Sequence, residues 1–163
     1  MPYNVSNILG SLSEEAFQWI CNQIPKSSHI LELGSGEATR ELALAGYQMT
    51  SIEHDLSWLH KYNSHYIHAP LRAGWYDPAS LKELPGMSYE LIIVDGPPAY
   101  LKGTEERRLG FLKNIGLFDT SKPILVDDCQ RQAEANLLMG LHKLTQRPYT
   151  LHSCQNGKVF GTI

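Results

Sequence analysis

Acidic side chains close two of the most apolar runs in the sequence. Asp95 ends residues 89–95, and Asp127 with Asp128 ends residues 123–128. If the two runs are neighbouring parallel strands, three carboxylates meet at one sheet edge and repel one another unless a cation or protons intervene. Carboxylate oxygens suit Mg²⁺ or another hard divalent cation, so all three residues are candidate metal ligands. Acids at strand ends also cap helices or bind a ligand without metal, and this alternative stays open.

A glycine turn follows another apolar run and predicts a ligand-binding loop. Residues 29–33 are followed directly by Gly34, Ser35 and Gly36. Glycine permits positive φ and close approach of the backbone to a ligand, and the start of the next helix offers unpaired N–H groups. A second run, residues 48–53, ends on Glu53, about 20 residues beyond the first glycine, where an acid accepts ribose hydroxyls. The stretch predicts a nucleoside-binding strand, helix and strand.

The residues around this turn indicate which nucleoside it binds. The dinucleotide fingerprint requires a third small residue, and here that position holds Thr39. Glu32, two residues before the first glycine, would repel a pyrophosphate but suits a ligand that carries an ammonium group. Glu32-Leu33-Gly34-Ser35-Gly36 followed by Glu53 resembles motif I and the ribose acid of class I S-adenosylmethionine-dependent methyltransferases.

The resemblance implies roles for the residues around the cofactor. The acid at the position of Glu32 begins the network on the methionine side, and Glu53 holds the ribose. The loop after the third strand lies along the adenine, and His54 either flanks the adenine or is a structural histidine. The cofactor-binding residues implied in this way are Glu32, Gly34, Ser35, Gly36, Thr39, Glu53, His54, Ala69, Pro70, Leu71, Asp95 and Gly96.

The acids at the strand ends resemble the divalent-metal site of catechol-type and macrocin-type O-methyltransferases. The Asp95-Gly96-Pro97 turn and residues 65–71 also resemble the glucuronoxylan O-methyltransferase group. These resemblances imply methyl transfer from S-adenosylmethionine to the hydroxyl of a small-molecule or saccharide-like acceptor. A metal would bind the acceptor oxygens and lower the pKa of the hydroxyl, whereas the protein holds the nucleophile in line with the methyl group.

Side chains near the same turn are candidates for contact with the acceptor. Asp95 takes a cofactor-side or acceptor-side role with or without a metal. Lys102 would act as a general base if burial lowered its pKa, although a lysine in a polar loop is usually solvated. Trp75, Tyr76 and Tyr100 would line an acceptor cleft or serve in packing.

Two other functions fit parts of the sequence. Asp95-Gly96-Pro97-Pro98 partly resembles the D-P-P-Y turn of amino-methyltransferases, but the inserted glycine weakens the match. The chain also fits a non-catalytic nucleotide-binding module or an NAD-binding Rossmann module.

The order of predicted elements indicates an α/β fold. Alternating helices and strands predict a single three-layer αβα Rossmann-like methyltransferase domain over residues 1–163, with a seven-stranded, mostly parallel sheet. Asn156-Gly157 between two strand-like runs predicts an antiparallel C-terminal hairpin. Helices are predicted at residues 11–24, 39–45, 56–62, 104–117 and 131–144, and strands at 29–33, 48–53, 65–71, 89–95, 123–128, 149–154 and 158–163.

Composition limits the partners and the location. The chain has 14 basic and 17 acidic residues, so no basic surplus supports a nucleic-acid partner. No apolar stretch approaches the length of a membrane span, and residues 1–4 do not begin a secretory leader. We therefore expect a cytoplasmic protein with a small-molecule acceptor, no membrane association and an oligomeric state that the sequence does not define.

Overall fold

The computed structural model describes residues 11–163. Residues 1–10, which the sequence predicts to be a loose lead-in, lie outside the described residues. The helices are α1 (Glu14–Gln23), α2 (Glu37–Leu44), α3 (Gly110–Lys113) and α4 (Gln132–Thr145). The strands are β1 (His29–Leu33), β2 (Gln48–Glu53), β3 (His65–His68), β4 (Leu71–Arg72), β5 (Trp75–Tyr76), β6 (Leu91–Val94), β7 (Ile124–Val126), β8 (Thr150–Ser153) and β9 (Val159–Thr162).

Within residues 11–163, seven strands form one sheet in the order β3-β2-β1-β6-β7-β9-β8. The pairs from β3 to β7 are parallel, whereas β9 pairs antiparallel with both β7 and β8. The predicted α/β fold with its mostly parallel sheet and C-terminal hairpin is confirmed. The carboxyl ends of β1, β2, β6 and β7 therefore share one edge, where ligands bind in open parallel sheets.

Buried side chains alternate between the two faces of the sheet. Leu31 and Leu33 on β1 pack on the face that carries α4 and the β4–β5 hairpin. Ile30 on the same strand packs on the face that carries α1 and α2. Strands buried on both faces read as continuous apolar runs, which is why the parallel strands are visible in the sequence.

Several predicted elements differ from the structure. The predicted helix over residues 104–117 is three short pieces: a 3₁₀ turn at Arg107–Leu109, α3, and a 3₁₀ turn at Ile115–Leu117. Residues 56–62 form turns instead of a helix: the N–H groups of Trp58 and Leu59 donate to carbonyls three residues back, and His60 adopts a positive φ of 61°, which an α-helix does not continue through. The first helix is capped by Ser13, whose Oγ accepts the N–H of Ala16.

The middle piece of this broken helix packs tightly against the β4–β5 hairpin. Trp75 of the β4–β5 hairpin lies directly on Gly110, where an added Cβ would be 2.3 Å from Cγ of the indole. Trp75 and Tyr76 are both buried, which favours packing, one of the two roles that the sequence leaves open for them. Among residues 11–163, no helix has the length and apolar character needed to cross a bilayer.

Gly110→Ala should lower the free energy of unfolding by about 1–3 kcal/mol, because the new methyl group overlaps the Trp75 ring. Gly116→Ala is the matched control, since nothing lies within 4 Å of its added Cβ. We expect the control to change stability by less than about 1 kcal/mol. Urea denaturation of the two variants measures the difference, and equal stabilities would contradict the packing described.

Candidate functional site

Two glycine-containing turns meet at the carboxyl edge of the sheet. Gly34 follows β1 with a φ of +87°, and a Cβ there would lie 3.1 Å from the carbonyl oxygen of Asp95. A Cβ on Gly96, which follows Asp95, would lie 2.9 Å from Gly34 Cα. The turns after β1 and β6 therefore contact each other through their backbones, an approach that requires glycine on both sides.

Gly36 has a different role from Gly34. Its φ of −175° is extended backbone, and an added Cβ would meet nothing within 4 Å. The space beside it is open, and α2 begins with the next residue, so unpaired N–H groups face that region. The turn leaves room for a ligand where the sequence predicts one.

Glu32 is a buried acid, 3% exposed, on β1. Its Oε1 accepts hydrogen bonds from the hydroxyls of Thr39 at 2.6 Å and Ser51 at 2.5 Å. Burial raises the pKa of Glu32 to about 7, although the two hydroxyls favour the ionised form. Glu32 is in register with Ser51, and Glu53 follows two residues later on β2, so both acids face the same side of the sheet.

Glu53 ties the end of β2 to the glycine turn. Its Oε2 accepts the N–H of Ser35 at 3.0 Å and the hydroxyl of Ser35 at 2.7 Å. Its Oε1 accepts the N–H groups of His54 at 2.8 Å and Asp55 at 2.9 Å. Four donors fill the usual capacity of a carboxylate, so a ribose hydroxyl would replace one of them. The Ser35 hydroxyl is the donor that can rotate away.

The remaining predicted cofactor residues lie on the same edge. His54 is partly buried, with Nδ1 2.9 Å from Glu53 Oε1. Ala69 is buried and donates its N–H to the Glu53 carbonyl, Pro70 is exposed, and Leu71 begins β4. The structure thus brings together the turn after β1, the end of β2 and the loop after β3. Lys102 is exposed and lacks the burial on which a general-base role depends.

The predicted metal ligands also converge. One carboxylate oxygen from each of Asp95, Asp127 and Asp128 lies within 4.8 Å of the other two. Asp127 is fully buried, and its Oδ1 has no hydrogen-bond partner among the described residues. The sequence-based prediction that these acids meet is confirmed by their geometry.

Three cations that sequence reasoning missed surround this cluster. Arg108 donates to Asp95 Oδ1 at 3.2 Å, to Asp128 Oδ2 at 3.2 Å and to the Asp95 carbonyl at 2.8 Å. Lys158 Nζ lies 2.7 Å from Asp127 Oδ2 and 3.3 Å from Asp128 Oδ1. Arg131 Nη2 donates to Asp128 Oδ2 at 2.8 Å.

A fourth buried acid, Glu134, accepts from Arg131 at 2.7 Å and lies 3.8 Å from Arg108. Four carboxyl groups thus face three cations, which leaves one negative charge in excess when all are ionised. Burial raises the pKa of Asp95 well above its usual value, and the charge of Asp127 raises it further. Burial also acts to raise the pKa of Asp128, but Lys158 and the two arginines outweigh it and hold that pKa below its usual value.

Comparisons with known proteins define the fold. No protein-family model matches the sequence, and no curated protein matches it. The C-terminal domain of precorrin-6Y C5,15-methyltransferase from Rhodobacter capsulatus is similar with a TM-score of 0.54 and 13% identity, over 99% of this chain and 94% of that chain. The delta-N METTL16 methyltransferase domain gives a TM-score of 0.59 and 15% identity, over 91% and 79%.

The MycE methyltransferase of the mycinamycin biosynthetic pathway is also similar, with a TM-score of 0.52 and 11% identity over 90% of this chain. This chain spans 44% of MycE. The protein therefore has the class I fold of S-adenosylmethionine-dependent methyltransferases, as the glycine turn predicts.

The buried acid gives a pH-dependent prediction. The pKa of Glu32 is raised from 4.5 in the unfolded chain to about 7 in the folded protein. Its contribution to the free energy of unfolding, about 3 kcal/mol, is fully present below about pH 4.5 and is lost as the pH rises through about 7. Glu32→Gln should therefore flatten the dependence of unfolding free energy on pH between 5 and 8. Glu106→Gln, at an exposed acid, is the control and should leave the wild-type curve unchanged. An unchanged slope in Glu32→Gln would contradict this assignment.

Proposed function

We propose that this protein transfers a methyl group from S-adenosylmethionine to a hydroxyl group of a small-molecule or saccharide-like acceptor. The observation that carries the proposal is the placement of Glu32 and Glu53 on one side of the sheet, beside a glycine turn with open space at Gly36. The class I methyltransferase fold supports the same cofactor. The excess of acidic over basic residues supports a small acceptor over a nucleic acid.

Different site residues would bind different parts of the cofactor. The Glu53 carboxylate would accept the ribose hydroxyls, with the Ser35 hydroxyl giving way, and the loop from Ala69 to Leu71 would lie along the adenine. Glu32, fixed by Thr39, would complete the methionine side. Methyl transfer is an in-line displacement, so the main contribution of the protein is to hold the acceptor oxygen behind the methyl carbon.

The turn after β6 favours a hydroxyl acceptor over an amino acceptor. In amino-methyltransferases that use this turn, an acid and a backbone carbonyl grip the –NH₂ group. Here Arg108 already donates to the Asp95 carboxylate, the Asp95 carbonyl and the Pro97 carbonyl. Because Arg108 already occupies the oxygens that would accept hydrogen bonds from an –NH₂ group, the turn is less suited to an amino acceptor, which supports O-methylation.

A divalent cation is the second part of the proposal. The cluster supplies hard oxygen donors, an unpartnered buried Oδ1 on Asp127 and, when all four carboxyls are ionised, one excess negative charge. Asp95, Asp127 and Asp128 would hold the cation, with Lys158 Nζ withdrawing from its place between two of them. A bound Mg²⁺ would lower the pKa of the acceptor hydroxyl. MycE, one of the similar structures, was solved in complex with Mg and SAH.

The activity itself is tested by incubating the protein with methyl-labelled S-adenosylmethionine and a panel of hydroxylated and amine acceptors. Label transfer to hydroxyl acceptors supports the proposal. Transfer only to amines would replace it with N-methylation. Cofactor binding without transfer to any acceptor would support a non-catalytic nucleotide-binding module.

Gly36→Val should weaken the binding of S-adenosylhomocysteine by about 100-fold or more, because the side chain fills the space kept open beside the turn. The extended φ and the absence of protein atoms within 4 Å mean that the variant should fold like the wild type. Gly86→Val, at an exposed glycine with equally free space, is the control. Titration calorimetry measures both, and wild-type affinity in Gly36→Val would refute the assigned pocket.

The double substitution Asp127→Asn with Asp128→Asn should spare cofactor binding and remove the response of the activity to Mg²⁺. The exposed pair Glu105→Gln with Glu106→Gln is the control and should retain that response. Wild-type activity that is unchanged by a chelating agent and by added Mg²⁺ would contradict the metal part of the proposal, whatever the stability of the double variant.

A further inference from the structure

Tyr76 brings a buried hydroxyl to the candidate cofactor site. It is the second residue of β5, pairs with Leu71, and is fully buried. Its ring packs edge-on against His54, with ring centroids 6.5 Å apart. The β4–β5 hairpin therefore approaches the end of β2 from the face of the sheet opposite to Glu32 and Glu53.

The hydroxyl lies where the two glycine turns touch. A Cβ on Gly96 would lie 2.2 Å from the Tyr76 oxygen and 2.9 Å from Gly34 Cα, so the oxygen and the two turns share one point of contact. The oxygen is inaccessible to solvent and has no hydrogen-bond partner among the described residues. A buried hydroxyl without a partner carries an uncompensated desolvation penalty, which a fold retains at functional sites when a ligand supplies the missing partner.

The charges around Tyr76 indicate what it offers to a ligand. Burial raises the pKa of the phenol well above its usual value, and Glu53 raises it further. The group therefore stays protonated and can donate. His54 directly follows Glu53, so the packing of the Tyr76 ring against His54 brings this side chain near the end of the site where the ribose is expected.

We propose that the Tyr76 hydroxyl hydrogen-bonds the nucleoside half of the cofactor, next to the ribose, and holds it over the contact between Gly34 and Gly96. This inference rests on the proposed function. The side chain acts as a binding and positioning group and takes no part in the displacement itself. Without the cofactor the hydroxyl has no hydrogen-bond partner among the described residues, and the bound cofactor would supply one.

The test compares Tyr76→Phe with Tyr89→Phe. Tyr89 is also a buried tyrosine, and its hydroxyl oxygen accepts the N–H of Asp119 at 2.7 Å. It precedes β6, at the opposite end of that strand from Gly96. Tyr76→Phe should raise the dissociation constants of S-adenosylhomocysteine and of 5′-methylthioadenosine by about tenfold each, because both ligands contain the nucleoside. Its urea midpoint without ligand should equal or exceed that of the wild type.

Tyr89→Phe should show the reverse, with a lower urea midpoint and unchanged dissociation constants. Unchanged affinities in Tyr76→Phe would overturn the inference, and so would a lowered urea midpoint, because the hydroxyl would then have a partner in the free protein. Weaker binding of S-adenosylhomocysteine alone would place the hydroxyl at the amino-acid half and also overturn it. Failure of the wild type to bind either ligand would instead reject the proposed function on which the inference rests.

Discussion

The backbone contact between the turns after β1 and β6 is the constraint on which the candidate site depends. Gly34 and Gly96 approach so closely that a Cβ on either would crowd the other turn. The contact fixes the spacing of two neighbouring strand ends and leaves the region beside Gly36 open. The Glu53 carboxylate then binds the first turn to the end of β2 through Ser35, so the ends of β1, β2 and β6 are connected to one another.

A buried cluster of charged side chains connects the turn after β6, the end of β7 and the C-terminal hairpin. Arg108 connects the turn that contains Asp95 to Asp128 beyond β7, and Lys158 connects the C-terminal hairpin to Asp127. Buried ion pairs of this kind contribute little net stability, yet removing one partner is costly because the other charge stays buried. The cluster therefore acts mainly to fix positions. When all four carboxyls are ionised, the cluster carries one excess negative charge, which a proton or a divalent cation would neutralise.

The sequence predicts the parts of the site that depend on local order and misses those that depend on packing. The strand, glycine turn, helix and strand from His29–Leu33 to Gln48–Glu53 are recognisable because apolar runs, turn glycines and acids follow one another closely. Arg108 and Lys158 were not predicted because their acidic partners lie 13 and 31 residues away along the chain. The unpartnered hydroxyl of Tyr76 is invisible in the sequence for the same reason, since its position depends on contact with a distant glycine.

The most direct test of the cofactor assignment is thermal and urea unfolding of the wild-type protein in the presence of S-adenosylhomocysteine and, separately, of NAD. A ligand at 100 times its dissociation constant adds about 2.7 kcal/mol to the free energy of unfolding. We expect stabilisation of that size by S-adenosylhomocysteine and none by NAD. Stabilisation by NAD alone would contradict the assignment of this edge of the sheet to a sulfonium nucleoside.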